Sequence, residues 1–342
     1  MAVLGLSLAT RAGRSGEEFG ELARQAEQAG FTAVFLAEGG SDVLSLCPPV
    51  VAATSRVAVG TAIANAYLHP PVLTAMTAAT LDDAAGGRFV LGLGTANARL
   101  NHDLLGLPRM PPLRMVEEYV ALVRATLAQQ TFSGEFFGLG DPLVLDRPPH
   151  RTRLPIQLAA LQPRMLELAG RVADGVILNL SSPEQVARAV TTVGRAAESA
   201  GRDPGSVPIT CVLQCCLSDD PEQARAAARG VVLHYARHPS AARLFTEHDP
   251  HDRLAVARAA LSAGDREAAA AAVPQQVADA FVVHGDAAAC RDRLRDYRSA
   301  GIDLPVVFPM PVSGRWDGAA ETAIAAFGDD LAEATNTRNR PS

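Results

Sequence analysis

The sequence predicts an α/β chain folded as a (β/α)8 TIM barrel with a helical insertion before the last barrel unit. Strand-like runs alternate with helix-like runs from one end to the other, and eight such strands can be counted. The length of 342 residues suits a barrel carrying insertions, which reaches that size as one unit. With 48% hydrophobic and 20% charged residues, the chain can bury a sizeable core. We expect one domain over residues 1–335 and a polar tail at 336–342. A doubly wound open sheet would use the same alternation and is the structural alternative.

The first strand is expected at 3–8, followed by an amphipathic helix at 17–29 that Gly30 ends, because glycine accepts the left-handed conformation of a helix cap. Strand two is expected at 33–37, a short helix at 44–53, and strand three as one run over 57–63. The next helix begins near Pro71, since proline suits a first helical turn. Strand four is placed at 89–94 after the Gly86-Gly87 turn, then a helix at 113–129 and a glycine-rich, aromatic hairpin excursion over 132–147. Strand five at 156–159, a helix after Pro163, strand six at 176–178, a helix from Pro183 and strand seven at 209–217 continue the pattern. The alanine- and arginine-rich stretch 221–272 reads as the helical insertion. A helix at 286–300, strand eight at 306–308 and a helix at 318–334 complete the chain.

Composition excludes several chemistries. All 31 Lys+Arg residues are arginine, so a lysine Schiff base, a pyridoxal-phosphate attachment and a phosphate-loop NTPase are ruled out. The net charge of −6 and the scattered arginines give no basic footprint for nucleic acid. No apolar run approaches the roughly 20 residues that span a membrane, and the N-terminal apolar segment reads as a strand, not a signal peptide. The five cysteines form no CxxC pair, which suits reduced thiols in the cytoplasm.

Few local motifs carry chemistry. Gly92, Gly94 and Asn97 do not complete a dinucleotide fingerprint, but Thr95, Asn97 and Asn101 follow a strand end at once, where a barrel builds its site. A tight turn explains them equally well. Glu38 follows strand two, and Asn65 and His69 follow strand three, at the same face; each taken alone reads as a loop cap. His234 and His238 sit four apart on a helix without a third ligand, and a solvated helix face is the better account. Cys211, Cys215 and Cys216 lie in a strand, where alternation sends neighbours to opposite faces. No GxSxG elbow occurs, so a hydrolase triad has no support.

Four stretches in order resemble the luciferase-like oxidoreductase superfamily: TSRVAVGTAIANAYLHPP at 54–71, ATLDDAAGGRFVLGLG at 79–94, LPIQLAALQPRMLELAGRVADGVILN at 154–179 and DYRSAGIDLPVVF at 296–308. The combination is most similar to the deazaflavin-dependent branch that includes methylene-tetrahydromethanopterin reductase. This resemblance implies coenzyme F-420 as hydride carrier, with FMN as the alternative. It places a non-proline cis peptide at Ala62-Ile63 behind the coenzyme ring, although Ala62 stands where many relatives have glycine. It assigns Asn65, Thr95, Asn97 and Asn101 to the coenzyme, with Ala96 in place of a common glycine. Ala160, Leu161, Gln162, Pro163 and Arg164 match a phosphate-binding loop at a helix N-terminus, Gln162 replacing the usual glycine.

Glu38 and His69 are the candidate catalytic residues, moving the proton that accompanies hydride transfer to or from an unsaturated or carbonyl-like substrate. Some relatives hold a sugar phosphate with lysines, which this chain lacks, so a glucose-6-phosphate dehydrogenase role is disfavoured. The expected partner is a small-molecule substrate, without nucleic acid, membrane or metal. A homodimer is left open. Two further readings stand: an FMNH2-dependent monooxygenase of the same fold, which needs a separate flavin reductase, and a non-catalytic barrel that binds flavin or a partner.

Overall fold

A computed structural model describes residues 3–146, 150–151, 153–237 and 239–338. The barrel strands in chain order are β1 (Gly5–Ala9), β2 (Ala33–Ala37), β3 (Ala58–Thr61) with its continuation β4 (Ala64–Asn65), and β5 (Phe89–Gly94). A small antiparallel hairpin, β6 (Phe132–Ser133) and β7 (Gly138–Leu139), interrupts the series. It resumes with β8 (Ile156–Ala159), β9 (Gly175–Asn179), β10 (Ile209–Leu217), a short β11 (Val283–Gly285) and β12 (Leu304–Pro309).

Closure is direct. β1 pairs in parallel with β2 on one side, Gly5 opposite Ala33, and with β12 on the other, Gly5 opposite Val306. Between them run β3, β5, β8, β9 and β10, every pairing parallel. The open doubly wound sheet is thereby excluded. An outer ring of helices covers the strands: α1 (Gly16–Gln28), α2 (Val43–Ala53), α3 (Pro71–Ala84), α4 (Pro112–Leu127), α5 (Pro163–Val172) and α6 (Pro183–Ser199). The insertion between β10 and β12 comprises α7 (Pro221–Ala236), α8 (Pro239–Ala242), α9 (Leu254–Ser262), α10 (Arg266–Ala272) and α11 (Gln275–Phe281). Then come α12 (Ala287–Ser299) and the closing α13 (Ala319–Arg338).

The structure departs from the sequence reading in four places. Strand three is not one run, because β3 ends at Thr61 and β4 starts at Ala64. β11 was not foreseen: its three residues extend the sheet beside the outer half of β10, with Cys215 opposite Val283, and they are too few to show a periodicity. The insertion's helices continue past residue 272 to Phe281. Finally, α13 runs to Arg338, into the segment expected as tail. Arg147, the far end of the expected hairpin excursion, lies outside the described residues.

Three apolar clusters follow from strand alternation. The largest fills the layer between strands and outer helices and includes Leu6, Leu36, Leu91 and Val123. A second lies under the insertion, where Phe245 and Phe281 meet edge to face at 4.8 Å. A third occupies the barrel interior around Phe35, Ile177, Val212 and Val306. Cys211 and Cys215 belong to the first cluster and Cys216 to the second, so adjacent thiols do face opposite ways. All five cysteines are free and buried. No described helix is long and apolar enough to cross a membrane.

Glu27 fixes the entry to β3. Its carboxylate accepts the backbone N–H groups of Ser55, Arg56 and Val57 at 2.6–3.2 Å, and the Ser55 hydroxyl at 3.1 Å. Burial favours the neutral acid, but these donors outweigh it and hold the carboxyl at about 2, below its ordinary 4.5. A depressed carboxyl contributes stability above its unfolded pKa, and that contribution fades as pH falls from 4.5 towards 2. Glu27→Gln is therefore expected to lower unfolding stability by about 2 kcal/mol at neutral pH. Urea unfolding at pH 7 and pH 3 checks this: the gap to wild type should narrow in acid. A gap below about 0.5 kcal/mol at pH 7 would show that this anchor is replaceable.

Candidate active site

Because all barrel strands run in parallel, their C-terminal ends share one face, and the loops leaving that face carry the candidate residues. Glu38 follows β2 directly. Its Oε2 accepts the Asn65 N–H at 2.6 Å, and its Oε1 lies 2.8 Å from His69 Nε2. Both side chains are largely shielded, 10% exposed for Glu38 and 14% for His69. Asp42, the N-cap of α2, sits 4.0 Å from the same imidazole nitrogen. Its carboxylate is engaged by the Leu44 N–H and the Ser45 hydroxyl.

The electrostatics favour a charged imidazole. Burial works against protonation of His69, yet the Glu38 hydrogen bond and the charges of Glu38 and Asp42 outweigh it and raise the His69 pKa above 6.5. Asp42 is pushed below its ordinary range: burial opposes this, but Ser45, Leu44 and the charge of His69 prevail. The sequence pattern marked Glu38 and His69 by position only, and the fold brings them into contact. Asp42 was missed, although an aspartate just before an apolar helical run is an N-cap signal.

The backing of the site comes from close approach of β3 to β5. The Thr61 hydroxyl donates to Gly92 O at 2.6 Å and accepts the Gly92 N–H at 3.0 Å. The Ala62-Ile63 peptide bond is cis, as the resemblance implied, and both residues pack on the interior cluster. A Cβ on Gly94 would stand 2.9 Å from Ile63 and 3.0 Å from Ala159, so the floor of the mouth admits no larger side chain there.

The remaining candidates divide. Asn65 and Asn101 are brought together, 2% and 1% exposed, and bond to each other and to the loop backbone. Asn65 Nδ2 donates to Asn101 Oδ1 at 2.7 Å, Asn101 Nδ2 to Thr95 O at 2.7 Å, and Asn65 Oδ1 accepts from Tyr67 N–H at 3.2 Å. They brace the loop after β5 from within. Asn97 Oδ1 accepts the Leu100 N–H at the entry to the widened helical turn Arg99–Leu104. Ala96 has a φ of 47°, in the left-handed region that favours glycine, the residue the resemblance implied at this position.

In the loop before α5, the Ala160 N–H is committed to Ile177 O, and Leu161 packs against the insertion's cluster. Gln162 is the N-cap residue without a side-chain cap bond, and Pro163 opens the helix. Arg164 is exposed and makes no ion pair among the described residues. An uncapped helix start beside a free guanidinium, and a floor restricted to small residues, fit a coenzyme that combines a flat ring with a phosphate. The histidine pair is set apart: His234 Nδ1 is bonded by Arg237 at 2.7 Å, and His238 lies outside the described residues.

The chain resembles known proteins over nearly its whole length. It is 29% identical over 316 residues to 5,10-methylenetetrahydromethanopterin reductase of Methanolobus tindarius, covering 90% of this chain and 94% of that protein. It is 30% identical over 223 residues to the F-420-dependent glucose-6-phosphate dehydrogenase of Kineococcus radiotolerans, covering 60% and 65%. The structure of coenzyme F-420-dependent tetrahydromethanopterin reductase from Methanopyrus kandleri superposes with a TM-score of 0.84 at 23% identity, covering 97% of this chain and 99% of that one. At that identity the superposition speaks for a shared barrel. The profile of the luciferase-like monooxygenase family matches residues 3–304, most of the chain, which therefore belongs to that family.

Proposed function

We infer that this barrel, taken as one catalytic unit over residues 1–335, is a coenzyme F-420-dependent oxidoreductase acting on an unsaturated or carbonyl-like small organic substrate. The observation that carries the reading is the Glu38–His69 pair, 2.8 Å apart at the mouth, beside a floor kept small by Gly94, Ala62 and Ala159. Relatives named for F-420 support the choice of coenzyme. When bound, the coenzyme supplies the hydride carrier, a group the side chains themselves lack.

The protein's part is proton handling and orientation. In the direction of reduction, protonated His69, its Nε2–H held by Glu38, gives its Nδ1 proton to the substrate atom that gains charge, and Glu38 stabilises the imidazolium before transfer. In the direction of oxidation, the neutral imidazole accepts that proton. Asn65, Asn101 and Thr95 keep the neighbouring loop in place. Gln162 and Pro163 leave the start of α5 open towards a phosphate, and Arg164 adds positive charge.

Titrating the purified chain with F-420 and with FMN, in both redox states, tests the reading by fluorescence. F-420 is expected to bind and FMN to bind more weakly. Arg164→Ala should weaken F-420 binding roughly threefold to tenfold, with a loss that shrinks at high salt. Binding of FMN alone would move the function to a monooxygenase served by a separate reductase. Binding of neither would leave a non-catalytic barrel.

A further inference from the structure

His69 is the last residue but one before α3, and its backbone carbonyl has no donor within the helix. The next carbonyl, Pro70 O, already accepts the Thr74 N–H at 2.9 Å. The donor for His69 O comes from a distant helix: the Tyr119 hydroxyl of α4 reaches it at 2.8 Å. Tyr119 Oη is in turn 2.6 Å from Thr74 Oγ1, which also lies 3.1 Å from Pro70 O. Two hydroxyl protons serve this set. Since Pro70 O is already satisfied, the arrangement that leaves no buried acceptor unpaired runs from Thr74 hydroxyl to Tyr119 oxygen, and from Tyr119 hydroxyl to His69 O.

Tyr119 and Thr74 are fully buried, and the Tyr119 ring is held edge to face against Phe137 at 5.9 Å. The phenol is therefore a fixed point, and the imidazole is tied to it through its own backbone. The titratable groups that face the imidazole are Glu38 and Asp42; Tyr119 faces its carbonyl.

We propose that Tyr119, ordered by Thr74, is a positioning residue that holds the His69 backbone so that the imidazole stays within bonding distance of Glu38. The proposal deepens the functional reading above, in which the Glu38–His69 pair moves the proton. The phenol touches neither substrate nor coenzyme. Its deletion would free the His69 carbonyl to turn, lengthen the Glu38 contact and let the imidazole titrate closer to its ordinary value.

The test reads His69 itself in the coenzyme-free chain, so its outcome does not depend on whether the pair is catalytic. The chain's eight histidines are isotopically labelled, the His69 resonance is assigned by its loss in His69→Gln, and its titration is followed by NMR. Wild-type His69 should titrate above the ordinary value. Tyr119→Phe keeps the ring and removes the donor, and it should lower the His69 pKa by about half a unit or more. Thr74→Val should shift it the same way by less, while Thr74→Ser, which restores the hydroxyl, should leave it near wild type. Thr126→Val deletes another buried hydroxyl of α4, bonded to Leu122 O, and should cost stability without moving His69. A His69 pKa unchanged in Tyr119→Phe, or moved equally by Thr126→Val, would overturn the proposal.

Discussion

Glu38→Gln and His69→Ala are each expected to reduce turnover by about 10²-fold or more, while the affinity for F-420 changes little. The two losses should be similar and far from additive in the double variant, because the side chains act as one unit joined at 2.8 Å. The pH dependence has a definite sign. The folded His69 pKa is raised above 6.5 by Glu38 and Asp42, against burial. A rate that needs the imidazolium is therefore full at low pH and falls as pH rises through that raised value. The reverse reaction, which needs the neutral base, rises over the same window. Stability follows the same linkage: the contribution of the pair is complete below the unfolded pKa and is lost as pH rises through the folded one. Steady-state kinetics of both variants across pH check this. Unchanged turnover in both would reduce Glu38 to the acceptor of the Asn65 N–H and His69 to a loop residue.

Strands bounded by strong punctuation were legible to the residue. Ala33–Ala37, Phe89–Gly94, Ile156–Ala159 and Ile209–Leu217 are found where apolar runs and flanking turns place them. The break between Thr61 and Ala64 was hidden in the strand pattern, because alanine and isoleucine continue an apolar run whether or not the backbone turns. Asn65 and Asn101 were singled out through family resemblance as coenzyme contacts, and the fold adds that their side chains also bond to one another, to Tyr67 N–H and to Thr95 O. That pairing depends on side-chain direction, which no spacing encodes. Tyr119 lies 50 residues from His69 and reads in sequence only as one more buried position of an amphipathic helix. Tertiary contact gives it a role, and local pattern cannot announce that role.

Gly92→Ala is the substitution expected to damage the fold most. An added Cβ at residue 92 would lie 1.8 Å from the Thr61 carbonyl oxygen, 2.9 Å from its carbon and 2.8 Å from Ile177 Cδ1. A flexible side chain could move aside, but the first two atoms are backbone. They belong to the segment that Gly92 itself holds through Thr61 Oγ1, so relief requires β3 to move away from β5. That movement breaks both Thr61 bonds and shifts Ala62 and Ile63, the backing of the mouth. Overpacking against unyielding backbone costs about 3 kcal/mol or more, and F-420 binding should fall with it. Gly230→Ala in α7 is the matched control, since nothing lies within 4 Å of its added Cβ. It replaces a helical glycine and should be neutral or stabilising by up to about 1 kcal/mol. Urea unfolding of both variants, with F-420 titration of whatever remains folded, measures the contrast. A Gly92→Ala protein with wild-type stability and coenzyme affinity would mean that β3 can retreat freely, and that this contact does not shape the site.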